Sequence, residues 1–473
     1  MKGVEIGFSL CWEILAEVKK GKFETDGRIS FAQFQPTLAN AVFELTYVYR
    51  KIEEEKRALV KQKLKYNQVW FSKRMAFLSN EQKKLNSAIA IGKGIGDAFA
   101  LFFYQRDRHF IMEHMAQPSQ IHAPPGIGGA GELEFIKNIS NINGYFVVYH
   151  GITNLLRLGD ITLIDLKGFR VAAIGEIKTH CVNTSTLEIS LFVSGRGLGQ
   201  PQAKETLTAA IHGEASKSLS INLSPSGRDR LKRQLKRISE SFKKLEFSQD
   251  KKIDIEVAGR HEDFSKFVTS LRSSRIRYSK LSTGLLICGY KERGKSLYQK
   301  LSPKKFLDVN TRLDGLEAAV ASILARSSTD NSLNIRPFFY EDNYSTCHLP
   351  GMTHIAWWPI GDDVIRKILF QDVCLFTIYN AAHLIEKLKA SGWNFEEKDN
   401  TFRGLKISKP NGMSTLAIEG ISYYMSMIQQ YFFSEDEVLA LLVEAVKQID
   451  SSAIMLPQTI NLIINQQFGS PRV

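Results

Sequence analysis

The stretch Gly159–Thr179 reads GDITLIDLKGFRVAAIGEIKT, and its punctuation decides the fold of the region around it. A Gly-Asp pair opens a β-prone run, Lys167-Gly168 makes a turn, and a second run of small and β-branched residues ends in Glu176-Ile177-Lys178. Side chains alternate along a strand, so Glu176 and Lys178 share one face. Pairing of the two runs brings Asp160 beside them. Two carboxylates and an ammonium then converge at a sheet edge. Such a site can hold a divalent cation through hard oxygen ligands and keep a lysine near an attacking water. Phosphodiester hydrolysis is the chemistry it suits.

Working outward, Leu133, Phe135, Ile136 and Ile139 predict a short amphipathic helix from Glu132 to about Ser140. Strands are expected over Tyr145–Tyr149, Asp160–Leu166, Arg170–Lys178 and Thr186–Val193. Gly195, Gly197 and Gly199 mark a loop, and Pro201–Ile211 reads as a second helix. The order is helix, four strands, helix. Before it, Pro118, Pro124 and Pro125 followed by Gly126, Gly128, Gly129 and Gly131 read as a flexible entry to the helix that begins near Glu132. The G-x-G-x-x-G match there has no strand before it, so a dinucleotide loop is set aside. Gly92, Gly94 and Gly96 enclose a lysine, but not at phosphate-loop spacing.

This ordered set resembles the PD-(D/E)xK, or restriction-endonuclease-like, nuclease superfamily, nearest in pattern to nuclease-related (NERD-like) domains. Asp160 matches the acidic residue of the second strand, and Glu176-Ile177-Lys178 matches the E-x-K, with Gly159 where the family name has proline. Gly131-Glu132 opening a helix matches the branch in which a glutamate of the first helix joins the metal site. The resemblance covers about residues 126–212. It implies an α/β core of helix, four-stranded mixed sheet and helix. It also implies Mg²⁺ or Mn²⁺ held by Asp160, Glu176, Glu132 and the Ile177 carbonyl, with Lys178 orienting water or stabilising charge. Glu134 competes with Glu132 for the helix position. His180 shares the face of Glu176 and Lys178, Asp165 takes the opposite face from Asp160, and Gln200 or Gln202 stands where many relatives carry a glutamine. The bland alternatives are a turn cap at Asp160 and an exposed ion pair between Glu176 and Lys178.

The chain has 473 residues and a net charge of +13, yet 23 lysines and arginines against 9 acids fall between Lys217 and Phe306. That one region carries the whole imbalance, the footprint of a polyanion-binding segment. Within it Leu231, Leu235, Ile238, Phe242 and Leu245 set the apolar stripe of a helix over Arg228–Phe247. Arg228, Arg230, Lys232, Arg233, Lys236, Arg237, Lys243 and Lys244 fill its other faces as candidate nucleic-acid contacts.

The length predicts several domains. The divisions expected are a helical region over 1–117, the nuclease-like core over 118–212, the basic segment over 213–330 and a mixed α/β region over 331–473. In the first, a helical hairpin is expected to turn at Leu78–Glu81. Strands are expected near Ile253–Val257, Leu285–Cys288 and Val373–Ile378, and helices over Asp263–Leu271, Ser302 to about Arg326, Asn380–Ala390 and Glu435–Ile449. Five scattered cysteines form no disulfide framework, which suits a reducing cytoplasm, and no apolar run is long enough to cross a bilayer. Cys347, His348 and His354 do not complete a zinc site, and Trp357-Trp358 read as aromatic core. The expected function is a metal-dependent endonuclease with little sequence specificity, acting on DNA with RNA left open. By analogy it suits an effector of a prokaryotic anti-phage or restriction-type defence system, as a homo-oligomer or with a partner protein. The competing reading is a catalytically silent nucleic-acid-binding or assembly protein that keeps the fold.

Overall fold

The computed structural model describes residues 2–21, 27–118, 121–183, 186–195, 225–246, 250–255, 260–273, 276–292, 294, 296–301, 333–338, 353–396, 406–411, 414–419, 421–450 and 461–466. The N-terminal half is built on three helices, α1 (Lys2–Lys19), α2 (Gly27–Lys61) and α3 (Gln68–Phe103). In α1, Val4, Phe8, Cys11, Trp12 and Leu15 recur at steps of three and four, and all are buried. The hairpin between α2 and α3 turns at residues 62–67, not at Leu78–Glu81, which lies inside α3. Asn67 decides this: its side chain caps α3 by accepting from the Val69 and Trp70 amides. Ser79 and Gln82, two of the polar residues near the expected turn, face α2 instead, where both accept from Lys56.

After α4 (His109–Met115), helix α5 spans Gly126–Asn138, so the glycine run is helical and not a flexible entry. Packing explains the exception. A methyl at Gly129 would strike the Pro124 carbonyl, and one at Gly131 would strike Thr179 of the sheet. The sheet contains β1 (Asn141–Ile142), β2 (Tyr145–Tyr149), β3 (Ile161–Asp165), β4 (Arg170–Asn183) and β5 (Thr186–Gly195), in that spatial order. Every pairing is antiparallel, so it is a five-stranded meander and not a four-stranded mixed sheet. The links between successive strands are too short for the crossover that parallel neighbours need. β4 outruns the expected strand by five residues and continues past the beginning of β3, where register ends at Ile161 opposite Gly175.

α2 and α3 pack directly on this sheet through Phe31, Phe34, Phe99, Phe103 and Phe146, with Phe34 and Phe99 stacked at 4.2 Å. Each such ring pair adds about 0.5–1.5 kcal/mol beyond its area. Buried Gln35 completes the seam, donating to the Val147 carbonyl and accepting from the Tyr149 amide, both at 2.7 Å. It satisfies backbone that short β1 leaves uncovered.

Helix α6 (Pro225–Glu246) buries Leu231, Leu235, Ile238 and Phe242 against α4 and the far strands, with Phe242 and Phe110 rings 4.8 Å apart. α7 (Arg260–Ser270) begins three residues earlier than Asp263. A second antiparallel sheet runs Arg277–Lys280, Leu285–Lys291, Val373–Asn380, Leu333–Pro337. A three-stranded antiparallel sheet lies over Asn394–Glu396, Lys406–Asn411 and Ser414–Glu419. The parallel pair Asp250–Ile255 and Asn461–Gln466 is separate. Helices cover Ala382–Ala390 and Glu435–Asp450 near the expected places. Trp357 and Trp358 are core residues, and the Trp357 indole donates to the Ala98 carbonyl of α3. The helices expected over Pro201–Ile211 and Ser302–Arg326 lie outside the described residues, as do Cys347 and His348. His354 caps a short turn through its ring nitrogen. Among the described residues no helix is long and apolar enough to cross a membrane.

Candidate active site

Glu132 of α5, Asp160 just before β3 and Glu176 of β4 line one cavity of about 110 Å³ with Lys93, Arg157 and Gln234. Three features deliver the carboxylates. Gly131 lets α5 lie against Thr179, which aims the next residue at the sheet. Gly159 takes φ +76, a left-handed turn that suits glycine, and the Asp160 amide then donates to the Gly175 carbonyl at 2.8 Å. The overrun of β4 leaves its edge open beyond Gly175, and the Asp160 carboxylate accepts from the Ile177 amide there at 2.7 Å. In an antiparallel strand the N–H and C=O of one residue point the same way, so the Ile177 carbonyl faces the Asp160 side too.

Glu176 and Lys178 do share a face: their side chains form an ion pair at 3.0 Å. Glu176 is buried, with its side chain 4% exposed against 24% for Lys178, so this is not the solvent-screened surface pair of the bland reading. Glu132 accepts from the Tyr149 hydroxyl at 2.6 Å. Glu134, two residues on, turns away and is engaged by Asn138 and Lys137. The three site carboxyls all titrate high. Burial is the largest cause for each, and it holds Glu132 at about 8 and Glu176 at about 7, with Asp160's charge as the next contribution. Asp160 is raised by burial and drawn back down by Lys178, by the Ile177 amide, by a hydrogen bond with Glu176 and by Arg230.

The turn that presents Asp160 is held by a chain of neutral hydrogen bonds whose directions can be assigned. His114 Nδ1 accepts from the Arg157 and Leu158 amides, so its proton is on Nε2, which donates to the Tyr104 hydroxyl at 3.1 Å. At the other end His150 Nδ1 must donate to the Gly159 carbonyl, so its Nε2 accepts from Thr162 at 2.7 Å. Tyr104 therefore donates to Thr162, at 2.6 Å. Both imidazoles are kept neutral, His150 down at about 3 and His114 well below its usual range, in each case first by burial. The His150 amide also donates to the Asp160 carbonyl. The loop before β3 is thereby fixed at both ends.

His180 is exposed at the strand's end, and Asp165 accepts from the Lys167 amide in the hairpin turn. Gln200 and Gln202 lie outside the described residues. On α6, Arg228, Arg230, Lys232, Arg233, Lys236, Arg237 and Lys243 are exposed, while the Lys244 side chain lies outside the described residues. Lys236 pairs with Glu240. Gln234, between Leu231 and Leu235 on the buried stripe, reaches the cavity, and its Oε1 is buried without a hydrogen-bond partner. Sequence reading missed Gln234, Tyr149, His150, Arg157 and the α3 residues Lys93 and Asp97. A signal existed for some of them. Gln234 interrupts an apolar stripe, and Lys93 and Asp97 are charges four apart in a helix that is otherwise apolar from Ala88 to Tyr104 apart from glycines.

Among the described residues no group of three or more His, Cys, Asp or Glu stands in a geometry ready to hold a metal ion. Each of the three carboxyls instead takes a hydrogen bond or ion pair from the protein. The donor set is nonetheless of the right chemical kind. Three carboxyls and a backbone carbonyl are hard oxygen donors, and their raised pKa values reflect burial and mutual repulsion that a divalent cation relieves. Comparison with family models, with curated proteins and with solved structures yields no match to this chain.

Proposed function

We propose that the protein is a metal-dependent nuclease of the PD-(D/E)xK type that hydrolyses phosphodiester bonds in DNA. One observation carries the reading: Glu132, Asp160 and Glu176, drawn from a helix, a turn and a strand, meet in one buried cavity with Lys178 paired to Glu176. Burying three mutually repelling carboxyls costs stability, and a fold has no structural need for them together. Asp160, Glu176, Glu132 and the Ile177 carbonyl would hold Mg²⁺ or Mn²⁺. When bound, the cation lowers the pKa of water and offsets charge on the phosphate.

The chain's own groups supply the rest. Lys178 leaves Glu176 to orient the nucleophilic water or to stabilise charge on the phosphate oxygens. Tyr149 holds the Glu132 carboxyl in place, and the His114–Tyr104–Thr162–His150 chain holds the Asp160 turn. The exposed cations of α6 border the same cavity through Gln234 and Arg230, which supports a role in holding the phosphate backbone without reading bases. An effector role in a defence system, alone or with a partner protein, fits such a non-specific nuclease.

The test is incubation of purified protein with single- and double-stranded DNA and RNA, each with Mg²⁺, with Mn²⁺ and with chelator. Metal-dependent cutting of DNA supports the reading. Binding without cutting under every condition favours a silent nucleic-acid-binding protein.

A further inference from the structure

The cavity has a second wall that the nuclease pattern does not use. α3 carries Gly92-Lys93-Gly94-Ile95-Gly96-Asp97, and its glycines bring the helix close to its neighbours. A methyl at Gly92 would come within 2.6 Å of the Phe8 ring, and one at Gly96 would strike the Ile152 carbonyl. This close approach pushes Lys93, only 2% exposed, into the cavity opposite the carboxylates. Asp97, one helical turn on, looks like its counter-ion, but both its oxygens are already committed. It accepts from the Asn154 amide at 2.7 Å, the Leu155 amide at 3.0 Å and the Asn154 side chain at 3.1 Å.

Arg157 lines the same cavity, close enough for its charge to depress the Lys93 amine, although burial is the larger cause. Its Nε donates to the Asn154 carbonyl, and one terminal nitrogen donates to the Met115 and Gln117 carbonyls. The other terminal nitrogen is buried with no hydrogen-bond partner. An unmade bond on a buried guanidinium costs stability, as does setting a second cation beside a buried lysine. A tetrahedral dianion between them would satisfy the free N–H groups and separate the like charges, with the guanidinium fork suited to two oxygens.

We propose that Lys93 and Arg157 form a phosphate-binding subsite facing the carboxylate wall. Its ligand class is the phosphate group of a nucleic-acid strand, at the scissile position or the one next to it. The role in cleavage rests on the nuclease reading above. The affinity for phosphate does not.

The experiment uses the full chain in metal-free buffer. Inorganic phosphate at millimolar concentration is compared with chloride of equal ionic strength, read by ³¹P line broadening and by the melting temperature. With the wild type, the phosphate line should broaden and the melting temperature should rise. Arg157→Gln and Lys93→Met should each weaken binding by about tenfold or more, as expected for removal of a charge-assisted pair. Glu176→Gln, on the opposite wall, should bind phosphate at least as well as the wild type. Wild-type protein indifferent to phosphate overturns the proposal, as does a folded Arg157→Gln that binds it unchanged. If Lys93→Met fails to fold, Arg157→Gln, which alters a partly exposed side chain, decides. Failure of cleavage with phosphate binding intact sinks the nuclease reading and leaves the subsite standing.

Discussion

Replacing Glu132 by glutamine should stabilise the metal-free protein, and by an amount that depends on pH. The carboxyl is buried on α5 with its pKa at about 8 against an ordinary 4.5. Between those values the folded state retains a proton that the unfolded chain has released, so stability falls as pH rises through the window. The penalty is absent well below the lower value and complete above the upper. Taken alone, the shift corresponds to about 4–5 kcal/mol at 1.36 kcal/mol per pH unit. Asp160 and Glu176 contribute part of the same repulsion, so the share relieved at Glu132 is about 2–4 kcal/mol. Glutamine keeps an oxygen for the Tyr149 hydroxyl and never ionises. Thermal unfolding in chelator should therefore place Glu132→Gln about 4–8 °C above the wild type at pH 8.5, the two converging near pH 4.5. A variant whose melting temperature tracks the wild type in parallel across that range would refute the claim that this carboxyl is held in a repelling, desolvated cluster.

Three further outcomes are expected. Gly96→Ala drives a methyl into the Ile152 carbonyl, which is backbone and cannot rotate away; a destabilisation of about 1–3 kcal/mol should appear in denaturant unfolding. Tyr104→Phe breaks the hydrogen-bond chain between the two buried histidines and leaves Thr162 and His114 each short of a partner. It should cost about 1–3 kcal/mol in the same assay. Neutralising Lys232, Arg233, Lys236 and Arg237 on the outer face of α6 should weaken binding to all DNA sequences and flatten its salt dependence, by about 0.9 in log–log slope for each phosphate that is no longer neutralised. An unchanged slope, read by fluorescence anisotropy over a salt series, would mean that these charges merely solvate the helix.

The core strands and α6 were legible because their periodicities are undisguised. Val171–Ile174 and the 231, 235, 238, 242 stripe admit no other burial. The helix over Gly126–Asn138 was only half legible, because four glycines oppose helix by propensity and their reason is contact with Pro124 and Thr179, distant in sequence or in the fold. The α2–α3 turn was misplaced because a single cap, Asn67, outweighs the polar cluster at 78–81. Sheet direction could not be read from strand patterns alone; the short links were the clue to an antiparallel meander. Within the site, Asp160, Glu176 and Lys178 were visible as charges at the ends of apolar runs. Lys93 and Arg157 were not, since only the fold brings α3 and the 150–160 loop to the same cavity.

The measurement closest to the central claim is paired cutting and binding by Glu176→Ala and Lys178→Ala against wild type, on one labelled DNA with Mg²⁺ or Mn²⁺. The wild type should cut. Both variants should retain most of their DNA affinity and their fold, with cleavage reduced by about a hundredfold or more, because these groups act at the reacting phosphate and the α6 cations do the holding. Cleavage by either variant at a rate near the wild type's would contradict the assignment of this cavity as the active site.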